Sequence, residues 1–192
     1  MNRLNYSFIV SLMGVDGSGK TTIAKALCRK FKNSKYLHLK PYILFQDKRT
    51  VIKNPHKQKK SSFIISFFRL ISWLISYRVL LNLNINKKIY VFDRYAHDVL
   101  IDPLRYQNSL SKGFTKSILN FFPQPNLWIF LNPFLRTIKS RKTELSDIEL
   151  KRQIYDYKNF FKTKKNVLYL NTANKKDVLI KKIVKKIINI KI

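Results

Sequence analysis

The sequence predicts an α/β fold with a five-stranded parallel sheet and helices on both faces. Three observations lead there. Short apolar runs of strand length alternate with longer segments whose apolar residues recur at helical spacing. Proline and polar clusters separate them. The chain has 192 residues, of which 45% are hydrophobic and 14% aromatic, enough to bury the core of one domain rather than remain disordered. No internal repeat is visible, and residues 1–192 read as a single domain.

The first strand is Phe8-Ile9-Val10-Ser11-Leu12-Met13, and the first helix runs from Lys20 to about Lys32, with Ile23, Ala24, Ala26, Leu27 and Phe31 apolar. Tyr36 to Leu39 is a short second strand. Residues 40–60 are polar, basic and broken by Pro41 and Pro55, so they read as a long loop. Ser62 to Leu83 is a long helix and Ile89 to Phe92 a third strand. Tyr95 to Leu100 and Lys112 to Phe122 read as helical. Leu127 to Leu131 is a fourth strand, followed by helices at Pro133 to Lys142 and Ser146 to Phe161. Val167 to Leu170 is a fifth strand and Lys175 to Ile190 a closing helix. Such alternation builds right-handed βαβ units. Ligands then bind beyond the carboxyl ends of the strands.

Two helices invite other readings. Ser62 to Leu83 is long enough to span a membrane. Ser66, Arg69, Ser72 and Ser76 mark a polar stripe on it, however, with Arg78 beyond, as in a helix buried against the sheet or a partner subunit. No transmembrane segment is therefore expected. The closing helix sets Leu179, Ile180, Ile183, Val184, Ile187 and Ile188 opposite lysine pairs at 181/182 and 185/186. It reads as a cover for the sheet, with weak contact to an anionic membrane surface as the alternative.

Chemistry concentrates first in Gly14-Val15-Asp16-Gly17-Ser18-Gly19-Lys20-Thr21-Thr22. A glycine, four residues, then Gly-Lys-Thr between a strand and a helix is the pattern of a phosphate-binding loop. Backbone N–H groups and the helix N-terminus gather around phosphate oxygens. Lys20 then reaches the β/γ-phosphates and the Thr21 hydroxyl holds Mg²⁺, so the expected ligand is ATP·Mg²⁺. Asp93-Arg94-Tyr95 ends the third strand, placing Asp93 on the same sheet edge as the loop. A carboxylate there orders a Mg²⁺ shell, and Arg94 offers a planar fork for phosphate. The alternative is an Asp–Arg pair capping the next helix.

Further along lie His97, Asp98, Asp102, Arg105 and Tyr106. Asp98 and Asp102, four apart, share one helical face if the helix persists to Pro103. They hydrogen-bond an acceptor, with Arg105 on its phosphate, or else form a solvated face at a helix end; both readings stand. His97 is expected to pack rather than catalyse. Past the fourth strand, Arg136, Arg141 and Lys142 lie in a segment, 132–150, that reads as a lid, with Arg141 the candidate for neutralising charge on the transferred phosphoryl group.

The chain holds 39 Lys and Arg against ten Asp and Glu, a formal charge of +29. The lysines are spread along its whole length, so they read as a solvated surface suited to an anionic substrate, and no specific nucleic-acid partner is expected. Four of the ten carboxylates, Asp16, Asp93, Asp98 and Asp102, fall in or beside the motifs above. Met1 to Tyr6 carries no signal-peptide pattern, and the single Cys28 forms no internal disulfide. A cytoplasmic setting is the expectation.

The phosphate loop with Asp16 inside it and a double threonine, Asp93-Arg94-Tyr95, and the later Arg141 segment together resemble the thymidylate kinase-like nucleoside monophosphate kinases. The resemblance implies a three-layer P-loop NTPase fold, ATP and Mg²⁺, a mobile lid, and a homodimer packed through helices. It assigns ATP phosphates to Lys20 and the loop residues Gly14, Asp16, Gly17, Ser18, Gly19, Thr21 and Thr22. Metal falls to Thr21 and Asp93, and catalysis to Lys20, Asp93, Arg94 and Arg141. Asp16, Arg94, Asp98, Asp102 and Arg105 are the acceptor-side candidates. Met13 stands where the family usually has an acid, and His38-Leu39-Lys40-Pro41-Tyr42 lacks the usual arginine-bearing motif. The implied reaction is phosphoryl transfer from ATP to a small phosphorylated acceptor, dTMP to dTDP first. The alternatives are a sugar or sugar phosphate as acceptor, and a non-catalytic module using its basic surface for nucleic acid or membrane.

Overall fold

The computed structural model describes residues 7–39, 59–83, 88–132 and 146–191. They fall into two compact units: Met1–Leu39, Ile85–Tyr95 and Gln124–Ile192 form the first, and Lys40–Asn84 with Ala96–Pro123 the second.

The first unit is a five-stranded parallel sheet with β1 (Phe8–Met13) at its centre. β3 (Ile89–Asp93) and β4 (Leu127–Leu131) flank it, and β2 (Ser34–His38) and β5 (Val167–Leu170) are the edges. Every residue of β1, β3 and β4 is buried, as strands covered on both faces must be. Period-two alternation sorts β4's side chains between two layers. Leu127, Ile129 and Leu131 join Val10 and Leu12 in a core with α1 (Lys20–Lys30) and the closing helix, α5 (Lys176–Lys191). Trp128 and Phe130 face the other way, onto α4 (Asp147–Lys162): Trp128 meets Phe160 at 5.5 Å between centroids and Phe130 meets Phe161 at 5.1 Å. Helices thus cover both faces. α5 buries Leu179, Ile180, Ile183 and Ile187 in that core, while Ile188 is exposed.

The second unit contains α2 (Phe63–Leu83), a short 3₁₀ helix (Ala96–Leu100) within the stretch that reads as helical, and α3 (Lys112–Leu119), which stops three residues before Phe122. The polar stripe of α2 lies inward, not outward. Ser66 and Ser76 are buried, and Ser66 Oγ accepts from the Ser109 N–H at 3.1 Å. Arg69 donates to the Tyr106 carbonyl and to Ser61 Oγ. Phe63, Ile64, Ile65, Phe68 and Ile75 are exposed instead. Ser66 is satisfied by the segment that returns beneath it, whereas the Ser76 hydroxyl donates to the Ser72 carbonyl of its own helix at 2.8 Å. Among the described residues α2 alone is long and apolar enough to cross a membrane, over Phe63–Leu81. Trp73 and Tyr77 turn inward, meeting Tyr106 and Phe122 edge-to-face at 5.7 and 5.4 Å.

Candidate functional site

The sheet order sets neighbours of β1 on opposite sides, so the loop after Met13 emerges where the topology reverses. The loop's backbone is one that few side chains tolerate. Gly14 has φ 149°, and a Cβ there would lie 2.5 Å from the carbonyl oxygen of Leu131, at the end of β4. Gly19 caps α1 with φ 87° and receives the Ile23 N–H at 3.1 Å.

Lys20 is the first residue of α1 and is buried. Its ammonium donates to the carbonyls of Gly14 (2.8 Å) and Val15 (2.7 Å) and to Ser18 Oγ (3.3 Å), and lies 3.9 Å from Asp16. Asp16 in turn is ion-paired with Arg94, both buried. Arg94 carries φ 73°, a strained value for a non-glycine residue, and its N–H bonds the Leu12 carbonyl at 2.9 Å. The turn that leaves β3 therefore directs the guanidinium back onto the loop after β1.

The β1/β3 register pairs Leu12 with Asp93. Asp93 is 1% exposed, and its Oδ2 accepts from the Thr21 hydroxyl at 2.6 Å and the Tyr36 hydroxyl at 3.0 Å, with His38 Nδ1 at 3.5 Å. Its Oδ1 is buried with no hydrogen-bond partner among the described residues. Burial raises the Asp93 carboxyl, but hydrogen bonds from His38 and Thr21 and the charge of Lys20 outweigh it and hold it at about 2. The group is an anion throughout the physiological range.

Lys20, Thr21, Asp16, Asp93 and Arg94 are thus brought together in the first unit. Tyr36 and His38 are functional neighbours that the sequence reading passed over. Their signal is period two on β2: residues 36 and 38 share a side, and His38 pairs in register with Asp93.

The remaining candidates lie in the second unit. Asp98 is fully buried and accepts from the Tyr106 hydroxyl at 2.8 Å. Asp102 is also buried, its N–H bonds the Asp98 carbonyl at 3.0 Å, and its Oδ1 caps the Arg105 N–H at 3.2 Å. Neither is a solvated surface carboxylate. His97 is buried and packs edge-to-face on Phe122. The helix expected at Pro133 to Lys142, together with Arg136, Arg141, Lys142 and most of the 132–150 lid segment, lies outside the described residues.

The chain is 30% identical over 135 residues to a probable thymidylate kinase of Sulfolobus acidocaldarius, a match spanning 65% of this chain and 63% of that relative. The fold is that of a Candida albicans thymidylate kinase (TM-score 0.63, 17% identity, 96% of this chain and 92% of that one). It is equally that of an M. mycoides deoxyadenosine kinase with bound dCTP (TM-score 0.64, 17% identity, 95% and 100%). The thymidylate kinase family model matches residues 12–187, from the end of β1 well into α5, and the chain belongs to that family.

Proposed function

We propose that this chain is an ATP-dependent kinase that phosphorylates a nucleoside monophosphate, with dTMP to dTDP as the first candidate reaction. One observation carries the reading: the phosphate-loop lysine and threonine, a buried ionised aspartate and a buried arginine converge at the carboxyl ends of β1 and β3. Family membership supports it.

In this reading the amides of Gly17, Ser18, Gly19 and Thr22 bind the β/γ-phosphates at the start of α1. Lys20 exchanges the Gly14 and Val15 carbonyls for phosphate oxygens. Thr21 and Asp93 fit Mg²⁺: both offer oxygen, the ligand this hard cation prefers, and Asp93 Oδ1 is a buried acceptor with no hydrogen-bond partner among the described residues. Among the described residues no group of three His, Cys, Asp or Glu forms a metal cage, and a nucleotide-borne Mg²⁺ needs none. When bound, Mg²⁺ supplies charge neutralisation on the phosphates. Arg94 leaves Asp16 for the acceptor phosphate or bridges the two substrates, and Asp16 borders both. Asp98, Asp102 and Arg105 serve the acceptor side, and Arg141, in a 132–150 lid, neutralises the transferred group. Phosphoryl transfer depends on such positioning and charge placement rather than on a protein nucleophile.

The exposed stripe Ile64, Phe68 and Ile75 on α2, spaced four and seven residues apart, supports a homodimer packed helix to helix. The working compartment is the cytoplasm, and any membrane contact is a weak one by α5.

The test is a coupled assay with Mg-ATP and a panel of nucleoside monophosphates. A diphosphate product that Lys20→Ala abolishes is expected. Turnover of a sugar or sugar phosphate with silence across the nucleotides would move the acceptor. Salt-sensitive nucleic-acid binding without turnover would remove the chain from the enzymes.

A further inference from the structure

We infer that Tyr36 and His38 are positioning residues that orient Asp93 so that its Oδ1 is the oxygen offered to the cation. The inference rests on the kinase reading above and assigns to β2 a part in metal binding.

A carboxylate has about four lone-pair sites shared over two oxygens. In Asp93 they are used very unequally. Thr21, Tyr36 and His38 all address Oδ2, at 2.6, 3.0 and 3.5 Å, while Oδ1 is buried without a partner among the described residues. A buried anionic oxygen with no donor calls for an explanation, and an ion or its water shell is among the usual ones. The carboxylate torsion is broad and nearly two-fold, so Thr21 alone does not fix which oxygen it holds or at what tilt. Two further donors from one side do fix it.

Both come from the same edge strand. Parallel pairing sets His38 against Asp93 and Tyr36 against Val91, so the two side chains reach Asp93 from β2's carboxyl end. Thr21 donates its only hydrogen to Oδ2, which keeps the hydroxyl's lone pairs available to a cation. Outer-shell partners of this kind typically shift metal affinity on the order of tenfold when removed.

Mn²⁺ replaces Mg²⁺ as an electron-paramagnetic probe, titrated into protein saturated with ATP, with metal-free ATP binding measured in EDTA alongside. Tyr36→Phe and His38→Ala should each weaken Mn²⁺ binding on the order of tenfold and leave metal-free ATP binding unchanged. His38→Asn, which keeps a donor near the Nδ1 position, should restore it to within about twofold of wild type. Turnover should show the same change in its Mg²⁺ activation constant, with kcat at saturating Mg²⁺ little altered. Tyr36→Phe keeps the ring and serves as the conservative variant if His38→Ala does not fold. Unchanged Mn²⁺ affinity in folded variants overturns the inference alone, as does an equal loss of metal-free ATP binding, which marks a purely structural tie. Wild-type protein that binds neither ATP nor Mn²⁺ overturns the kinase reading and this inference with it.

Discussion

Gly14→Ala is the most direct test of the loop geometry. The added methyl meets two obstacles at once. Its backbone sits at φ 149°, where L-residues are strained by about 1–3 kcal/mol. Its Cβ would also stand 2.5 Å from the Leu131 carbonyl oxygen and 3.1 Å from Ser18 Oγ. Ser18 can turn aside, but Leu131 cannot. It is fully buried, pairs with Leu170 across the sheet, and is followed by the Asn132 N–H bonded to the Leu170 carbonyl at 2.9 Å. Forcing an extra methyl into such a site costs about 1–3 kcal/mol. Together the two effects give roughly 2–6 kcal/mol, and a chain of this size loses about 2–4 °C of Tm per kcal/mol. Gly19→Ala is the control. Its φ of 87° is strained too, but nothing lies within 4 Å of the added Cβ. A thermal melt of both variants separates strain from collision, and Gly14→Ala should melt clearly below Gly19→Ala. Equal melting temperatures would refute the close approach of β4 to the loop.

Asp16→Asn removes one partner of a buried ion pair and should cost about 3 kcal/mol in chemical denaturation; an unchanged midpoint would show that Arg94 is held by its other contacts. Asp93 has its folded pKa lowered from 3.8 to about 2, so its contribution is complete above pH 4 and lost as pH falls toward 2. That contribution is about 2 kcal/mol, and the stability gap between wild type and Asp93→Asn should shrink by this amount on acidification, which denaturation curves at a series of pH values would read; parallel curves would contradict it. Phe68→Glu places a charge in the exposed stripe of α2 and should convert a dimer to monomer in sedimentation, whereas a monomeric wild type would rule out the helix-packed dimer.

How much of this was legible in the sequence depended on whether a local pattern or a distant neighbour decided it. Strands β1, β4 and β5 are read to the residue, because each is an apolar run of strand length, and β1 and β4 are buried along their whole length. The loop is legible because its function fixes residue types at fixed spacing. The inward polar face of α2 is not. Serines and an arginine read only as a polar stripe until the returning segment at Tyr106–Ser109 supplies partners for Ser66 and Arg69. Tyr36 and His38 escape for a related reason: nothing near them in sequence marks them, and only the register against β3 brings them to Asp93. Asp98 and Asp102 read equally as a solvated face or as acceptor-binding groups, because the Tyr106 hydroxyl that satisfies Asp98 lies past a proline break.

Every ionic group of the nucleotide-side site rests on another site group within the first unit. Lys20 rests on the loop carbonyls, Arg94 on Asp16, and Asp93 on Thr21, Tyr36 and His38. Charges this deeply buried cannot stand alone, since an unpaired ion in the interior costs several kcal/mol. In the proposed kinase reading a phosphate ligand enters by exchange, taking over contacts to Lys20 and Arg94 that the loop already makes. Exchange lowers the net gain per contact but keeps the cations ordered beforehand, which is the preorganisation that phosphoryl transfer uses. It also explains the placement of the scarce acid at position 16. The chain has 39 basic residues against ten acidic ones, and a carboxylate inside the loop pairs with Arg94, which in the proposed reading it holds until a phosphate replaces it.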